Sequence, residues 1–132
     1  MRLVIATVLM ALSLTGVAAG DRPLYVYGGK GHKEFLGCIN CEDTDPKSVW
    51  NNSSQYGFRN IYGAWSRSSQ YVDPSSDLSS CNQLATDPPI IKGEDGRTYG
   101  RLSLNEHIQG SVCGFGGREN LCLSVRILCK GK

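Results

Sequence analysis

The 132-residue sequence predicts a small, mainly β domain: two related β-hairpins joined by a Ser- and aromatic-rich loop segment and stapled by disulfides. Three observations carry that expectation. Two stretches read strand–turn–strand, with β-branched and aromatic runs around glycine-rich turns. Six cysteines fall in a short chain, an even number of the kind that builds disulfide frameworks in exported domains. Between Asp45 and Asp87 the only large aliphatic residues are Val49, Ile61, Val72, Leu78 and Leu84. Such a segment does not offset its ordering entropy by aliphatic burial alone, so staples are expected.

Met1–Ala19 reads as a secretory leader: Arg2, an apolar run from Leu3 to Leu12, then the small residues Val17-Ala18-Ala19. The run is too short to span a bilayer, and no transmembrane segment is expected in the mature chain. Residues 20–132 are then expected to form a single domain. Leu24-Tyr25-Val26-Tyr27 and Glu34-Phe35-Leu36-Gly37-Cys38-Ile39, around Gly28-Gly29-Lys30-Gly31-His32, make the first hairpin. Ile90-Ile91-Lys92 and Arg97-Thr98-Tyr99-Gly100-Arg101-Leu102-Ser103-Leu104, around Gly93-Glu94-Asp95-Gly96, make the second. Gly37 and Ile39 align with Gly100 and Leu102 at a common offset of 63 residues. Pro88-Pro89 marks the boundary before the second hairpin, since proline donates nothing to a ladder.

The insert carries its own repeat. Trp50 with Ser53-Ser54-Gln55-Tyr56 recurs fifteen residues later as Trp65 with Ser68-Ser69-Gln70-Tyr71. These read as stacked turns or loops pinned across the sheet by Trp50, Tyr56, Trp65 and Tyr71. Near the C-terminus, Leu121, Leu123 and Val125 alternate, which predicts one more strand before Cys129.

Several motifs together carry a family resemblance. Phe35-Leu36-Gly37-Cys38-Ile39 is followed by Asp45-Pro46-Lys47-Ser48-Val49-Trp50-Asn51, then Gln55-Tyr56-Gly57. Cys81-Asn82-Gln83-Leu84-Ala85-Thr86-Asp87-Pro88-Pro89 and Tyr99-Gly100-Arg101-Leu102 complete the series. In this order, over roughly Leu24 to Asn105, they resemble a mostly uncharacterised family of small exported bacterial proteins. Its members show a Tyr-Leu-Gly hairpin, Ser-Asn-Tyr-Gly repeats, and a Pro-Pro plus Tyr-Gly hairpin. The resemblance implies a fold type and no activity. The extension bearing Cys113, Cys122 and Cys129 lies beyond it.

The chemistry-bearing residues divide few ways. Cys38-Ile39-Asn40-Cys41 has the spacing of thiol–disulfide oxidoreductases and of zinc sites. Catalysis by Cys38 and Cys41 is the enzymatic alternative, but the first thiol follows a strand and faces Glu42, Asp43 and Asp45, which oppose a thiolate. All six cysteines, Cys38, Cys41, Cys81, Cys113, Cys122 and Cys129, are therefore read as disulfides of open connectivity, with no metal and no cofactor expected. His32 and His107 lack convergent partners in sequence. Ser111 stands one position early for a glycine-flanked nucleophile. Gly29-Lys30-Gly31 and Gly114-Phe115-Gly116 lack the third glycine of a dinucleotide fingerprint. Asn51-Asn52-Ser53-Ser54 holds glycosylation sequons, set aside because the resemblance is to bacterial proteins.

Trp50, Tyr56, Trp65 and Tyr71 are the candidate binding residues, a stacking platform for sugar rings; the competing and preferred reading makes them the core of a segment that otherwise lacks one. Net charge is only +2, which excludes binding to nucleic acid through bulk charge. Arg118, Arg126, Lys130 and Lys132 against Glu119 make the last twenty residues the most basic. The function expected is a non-enzymatic binding or structural module, exported to the periplasm or outside the cell, whose partner is an envelope polymer or another exported protein. An inhibitor of an exported hydrolase is a further alternative.

Overall fold

The computed structural model describes residues 22–132; the expected leader lies outside them. Four strands, β1 (Leu24–Gly28), β2 (Glu34–Cys38), β3 (Ile90–Gly93) and β4 (Thr98–Arg101), form one antiparallel sheet in the order β2-β1-β3-β4. The two expected hairpins are its halves, and they meet through the central pair β1–β3. Val26 pairs with Gly37 inside the first hairpin, Ile91 with Gly100 inside the second, and Val26 with Ile91 between them. The sheet thus repeats about an approximate two-fold axis through that central pair.

The equivalence extends to irregular features. Each hairpin has a bulge at the same place, skipping Leu36 in one and Tyr99 in the other. Gly37 and Gly100 follow with φ of 116° and 131°, a conformation closed to side-chain-bearing residues. Both glycines also lie under a returning segment: a Cβ would stand 2.8 Å from Val49 Cγ1 at Gly37 and 2.9 Å from the Gly110 carbonyl oxygen at Gly100. That segment pairs in parallel with the strand end, Cys38 with Ser48 and Arg101 with Ser111. Its hydrogen bonds match as well: Cys38 N–H donates to Lys47 O and Arg101 N–H to Gly110 O.

Past each bridge the chain advances by turns three residues long. From Asp45 through Ser48, Asn51, Ser54, Gly57, Asn60, Gly63, Ser66 and Ser69, each N–H donates to the carbonyl three residues back. The side-chain oxygen of most of these residues accepts the N–H two residues ahead, as Ser48 does from Trp50, Asn51 from Ser53 and Asn60 from Tyr62. One residue therefore closes a turn and opens the next. Ser, Asn and Asp suit that position because their short side chains reach the backbone locally. The fifteen-residue repeat read from sequence is five of these steps. In the second half the same device is brief, running Ile108, Ser111, Gly114, Gly117.

The C-terminal segment is a helix, α1 (Glu119–Cys129), and not the expected strand. Its buried residues are Leu121, Cys122, Val125 and Leu128, whereas Leu123 is exposed. That spacing has helical period, and the alternation of Leu121, Leu123 and Val125 conceals it once the cysteines are set aside as staples. A helix of eleven residues is marginal alone, and Arg118 supplies no side-chain cap. Disulfides hold both ends instead: Cys113–Cys122 in the first turn and Cys81–Cys129 at the last residue. The third bond closes Cys38 on Cys41. By loop-closure entropy, Cys81–Cys129, spanning 48 residues, contributes about 4 kcal/mol, and Cys38–Cys41 about 1.5 kcal/mol.

One core joins all parts. Val26, Leu36 and Ile91 project from one sheet face onto Val49, Trp65, Tyr71 and Val72 of the turn chain and onto Leu121, Val125 and Leu128 of α1. No helix among the described residues is long and apolar enough to cross a membrane.

Candidate functional site

The four aromatic residues singled out in the insert divide between core and surface. Trp65 is 0 % exposed, and its Nε1 donates to Leu36 O at 2.9 Å. Tyr71 is buried and its hydroxyl donates to the Glu34 carboxylate. Burial first, then that hydrogen bond and the nearby charge of Glu34, push the Tyr71 phenol up to about 12. These two rings fill the core beneath the sheet. Trp50 is half-buried, with Nε1 donating to Ile39 O at 2.8 Å and its ring edge-on to Phe58. Tyr56 alone of the four reaches an open aromatic surface.

That surface is the outer face of the first hairpin. Strand alternation sends Val26 and Leu36 inward, so Tyr25, Tyr27 and Phe35 stand outward. Phe35 sits centrally, edge-to-face with Tyr25 and Tyr27 at 5.5 Å between centroids and with Tyr56 at 4.9 Å. Lysines flank the cluster. Lys47 Nζ lies 5.5 Å from the Tyr25 centroid, and Lys92 Nζ 5.7 Å from that of Tyr27. A cleft of about 400 Å³ opens among Tyr25, Phe35 and Tyr56, rimmed by Pro46, Lys47 and Gln55. Across Tyr25 and Tyr27 a second depression is rimmed by Lys33, Lys92 and Glu94. Neither Tyr25, Tyr27 nor Phe35 is singled out by sequence reasoning centred on the insert. Their signal was present in Leu24-Tyr25-Val26-Tyr27, where each ring occupies the position opposite a core residue.

The remaining candidates occupy structural places. Cys38 is 0 % exposed at the end of β2 and bonded to Cys41, which is half-buried beside a depression lined by Pro23, Asn40 and Glu42. His32 holds the first hairpin turn to the Pro88 boundary: its Nε2 lies 3.0 Å from Asp87 Oδ1 and 3.2 Å from Pro88 O. His107 is exposed beside Glu106. Ser111 Oγ donates to Ser103 O and accepts the Cys113 N–H, as a turn serine does. Among the described residues no group of three or more His, Cys, Asp or Glu is placed to hold a metal ion.

What the outer face offers chemically is flat aromatic area, a few amide and hydroxyl groups, and positive charge. Aromatic rings stack on the apolar faces of sugar rings, while ammonium groups pair with carboxylate or phosphate substituents. Comparison of the chain with family models, with curated proteins and with solved structures returns no match.

Proposed function

We propose that this chain is an exported, non-enzymatic binding module, related to the small bacterial proteins its motifs resemble, and that it holds an anionic polysaccharide of the cell envelope. In this reading Tyr25, Tyr27, Phe35 and Tyr56 stack against sugar rings, Gln55 bonds hydroxyls, and Lys47 and Lys92 meet acidic substituents. Export accords with the leader-like Met1–Ala19 and with the three disulfides.

A single observation carries the reading, and the molecule supplies its own control. In the second hairpin the positions equivalent to Tyr25, Tyr27 and Phe35 hold Ile90, Lys92 and Thr98. The same backbone forms there without an aromatic outer face, so folding does not demand one. Rings left half-exposed where the equivalent backbone forms without them favour a surface kept for a ligand.

The test exchanges the faces. A Tyr25→Ile/Tyr27→Gln/Phe35→Thr variant writes the second hairpin's residues onto the first, with neutral glutamine in place of the lysine so that no new cation attracts an acidic polymer. Stability is expected to fall by no more than about 2 kcal/mol, the scale of three cross-strand pairs. Retention on purified acidic cell-wall polysaccharide is expected to drop roughly ten-fold or more, on the scale of losing two or more stacked rings. Equal retention of the variant and the parent protein would sink the proposal.

A further inference from the structure

Apart from the aromatic face, we infer that the protein carries a second surface, where α1 ends against the turn chain, that docks on anionic phospholipid membranes. The basic C-terminal residues do not stand alone: folding brings Lys130 and Lys132 beside Arg59 and Arg67 of the insert, around a cleft of about 550 Å³. The other lining residues are Phe58, Asn60, Ile61, Ser66 and Gly131, so four cationic side chains share the cleft with no acidic one. Among the described residues none of the four is ion-paired. Two of them meet neutral carbonyls, and Arg59 lies over the Phe58 ring at 5.3 Å. Lys132 Nζ donates to Trp65 O at 2.6 Å and Arg67 Nη2 to Gly131 O at 3.0 Å. Burial first, then the charge of Arg67, lower the Lys132 pKa.

Ile61, which lines the cleft, and Tyr62, next to it in the chain, select the partner. Elsewhere in the turn chains Val49 and Trp65 are fully buried, whereas Leu84 and Phe115 share the exposure of Ile61 and Tyr62 but lie outside the cationic cleft. The turn from Asn60 to Gly63 is closed by Gly63 N–H on Asn60 O and braced by Tyr62 N–H on Asn60 Oδ1. It carries Ile61 at 71 % exposure and Tyr62 at 91 %, both held out into solvent. On the helix leading to Lys130, Leu123 and Ile127 are likewise exposed at i, i+4 spacing, next to Arg126. A soluble polyanion uses the cations and has no place for these side chains. A membrane surface uses both: headgroup phosphates take the cations, and Ile and Tyr side chains enter the interface.

Flotation of the full protein with vesicles tests this, comparing equal parts phosphatidylglycerol and phosphatidylcholine with phosphatidylcholine alone. Binding is expected to the anionic vesicles only. Each cation near such a surface is worth about five-fold in partitioning, so Arg59→Glu/Lys130→Glu should lose roughly ten-fold or more. Ile61→Ser/Tyr62→Ser should weaken the binding that survives high salt, where charge attraction is screened. Thermal melting checks that both variants fold. The aromatic-face exchange should leave vesicle binding intact, which separates this surface from the proposed polysaccharide site. Absence of binding to anionic vesicles, or equal binding by parent and charge-reversed proteins, overturns the inference. So does binding to soluble heparin in place of vesicles that Ile61→Ser/Tyr62→Ser leaves unchanged.

Discussion

The two halves of this molecule share a backbone and differ in what they do with it. Each consists of a bulged hairpin, a glycine in a conformation forbidden to other residues, a parallel bridge, and a chain of three-residue turns. In the first half the turn chain runs on for some forty residues, and its rings pack the core from below. In the second it stops after three steps and gives way to α1. Packing differs accordingly. Trp65 caps the bulge residue Leu36 in the first half, while the matching Tyr99 stays half-exposed and bonds outward to Asp95. The lesson is that hairpin, glycine and bridge are the conserved device within the chain. The outer aromatics and the length of the turn chain are the parts free to change.

Trp65 offers the largest way to break the symmetry. Trp65→Ala removes the largest fully buried side chain and orphans the Leu36 carbonyl, so a loss of about 3–5 kcal/mol is expected in urea unfolding with the disulfides intact. Tyr99→Ala, at the bulge position that matches Leu36, removes a half-exposed ring and should cost about 1 kcal/mol. Similar losses for the two would mean that the halves are packed alike and that the contrast is misdrawn.

The glycine pair sharpens the comparison on a smaller scale. Gly37→Ala and Gly100→Ala each force a side chain into a positive-φ conformation, at about 1–3 kcal/mol. Gly37 should be the costlier, because its Cβ would meet Val49 and Tyr56 side chains as well as the Lys47 carbonyl, whereas at Gly100 the tight contact is the Gly110 carbonyl alone. Thermal melts of both variants decide it. Full tolerance of either would show that the two hairpins do not rely on the same device.

Much of this was legible in the chain, and the unread parts have specific physical causes. The hairpins showed because each has a strand pattern around a glycine turn, and the offset of 63 residues between Gly37 and Gly100 showed because both glycines answer the same steric demand. The three-residue step was hidden inside a fifteen-residue repeat, since Ser, Asn, Asp and Gly substitute for one another at the linking position and only the rings repeat visibly. Reading Asp45, Ser48, Asn51, Ser54, Gly57, Asn60, Gly63 and Ser66 as a series would have found it. The helix was misread because Cys122 and Cys129, set aside as staples, sit on its inner side with Leu121, Val125 and Leu128. For the candidate site, Trp and Tyr in a poor-core segment drew attention to the insert. Poverty of aliphatics is also the reason that Trp65 and Tyr71 turned inward, while strand alternation turned Tyr25, Tyr27 and Phe35 outward.

A last contrast separates the halves by pH. Both pin a tyrosine hydroxyl to a carboxylate, Tyr71 to Glu34 and Tyr99 to Asp95, but only the first pair has its ring buried. Around Asp95 the Arg97 N–H is the largest influence and holds the carboxyl below its usual range. Around Tyr71, burial and Glu34 raise the phenol from 10.0 to about 12. The folded protein therefore keeps a proton that the unfolded chain releases above about pH 10. Stability contributed by the neutral phenol is complete below that pH and is lost as pH rises toward 12. Tyr71→Phe abolishes the linkage, because nothing remains to ionise at that site. Unfolding curves of parent and variant should converge in slope below pH 10 and diverge above it, with only the parent showing the extra decline. Glu34→Gln should leave the onset near pH 10 but end the decline at a lower pH and make it smaller without removing it, since burial, the larger cause, persists. A parent and a Tyr71→Phe protein with the same alkaline profile would mean that the ring meets solvent, and that the first half is no better sealed than the second.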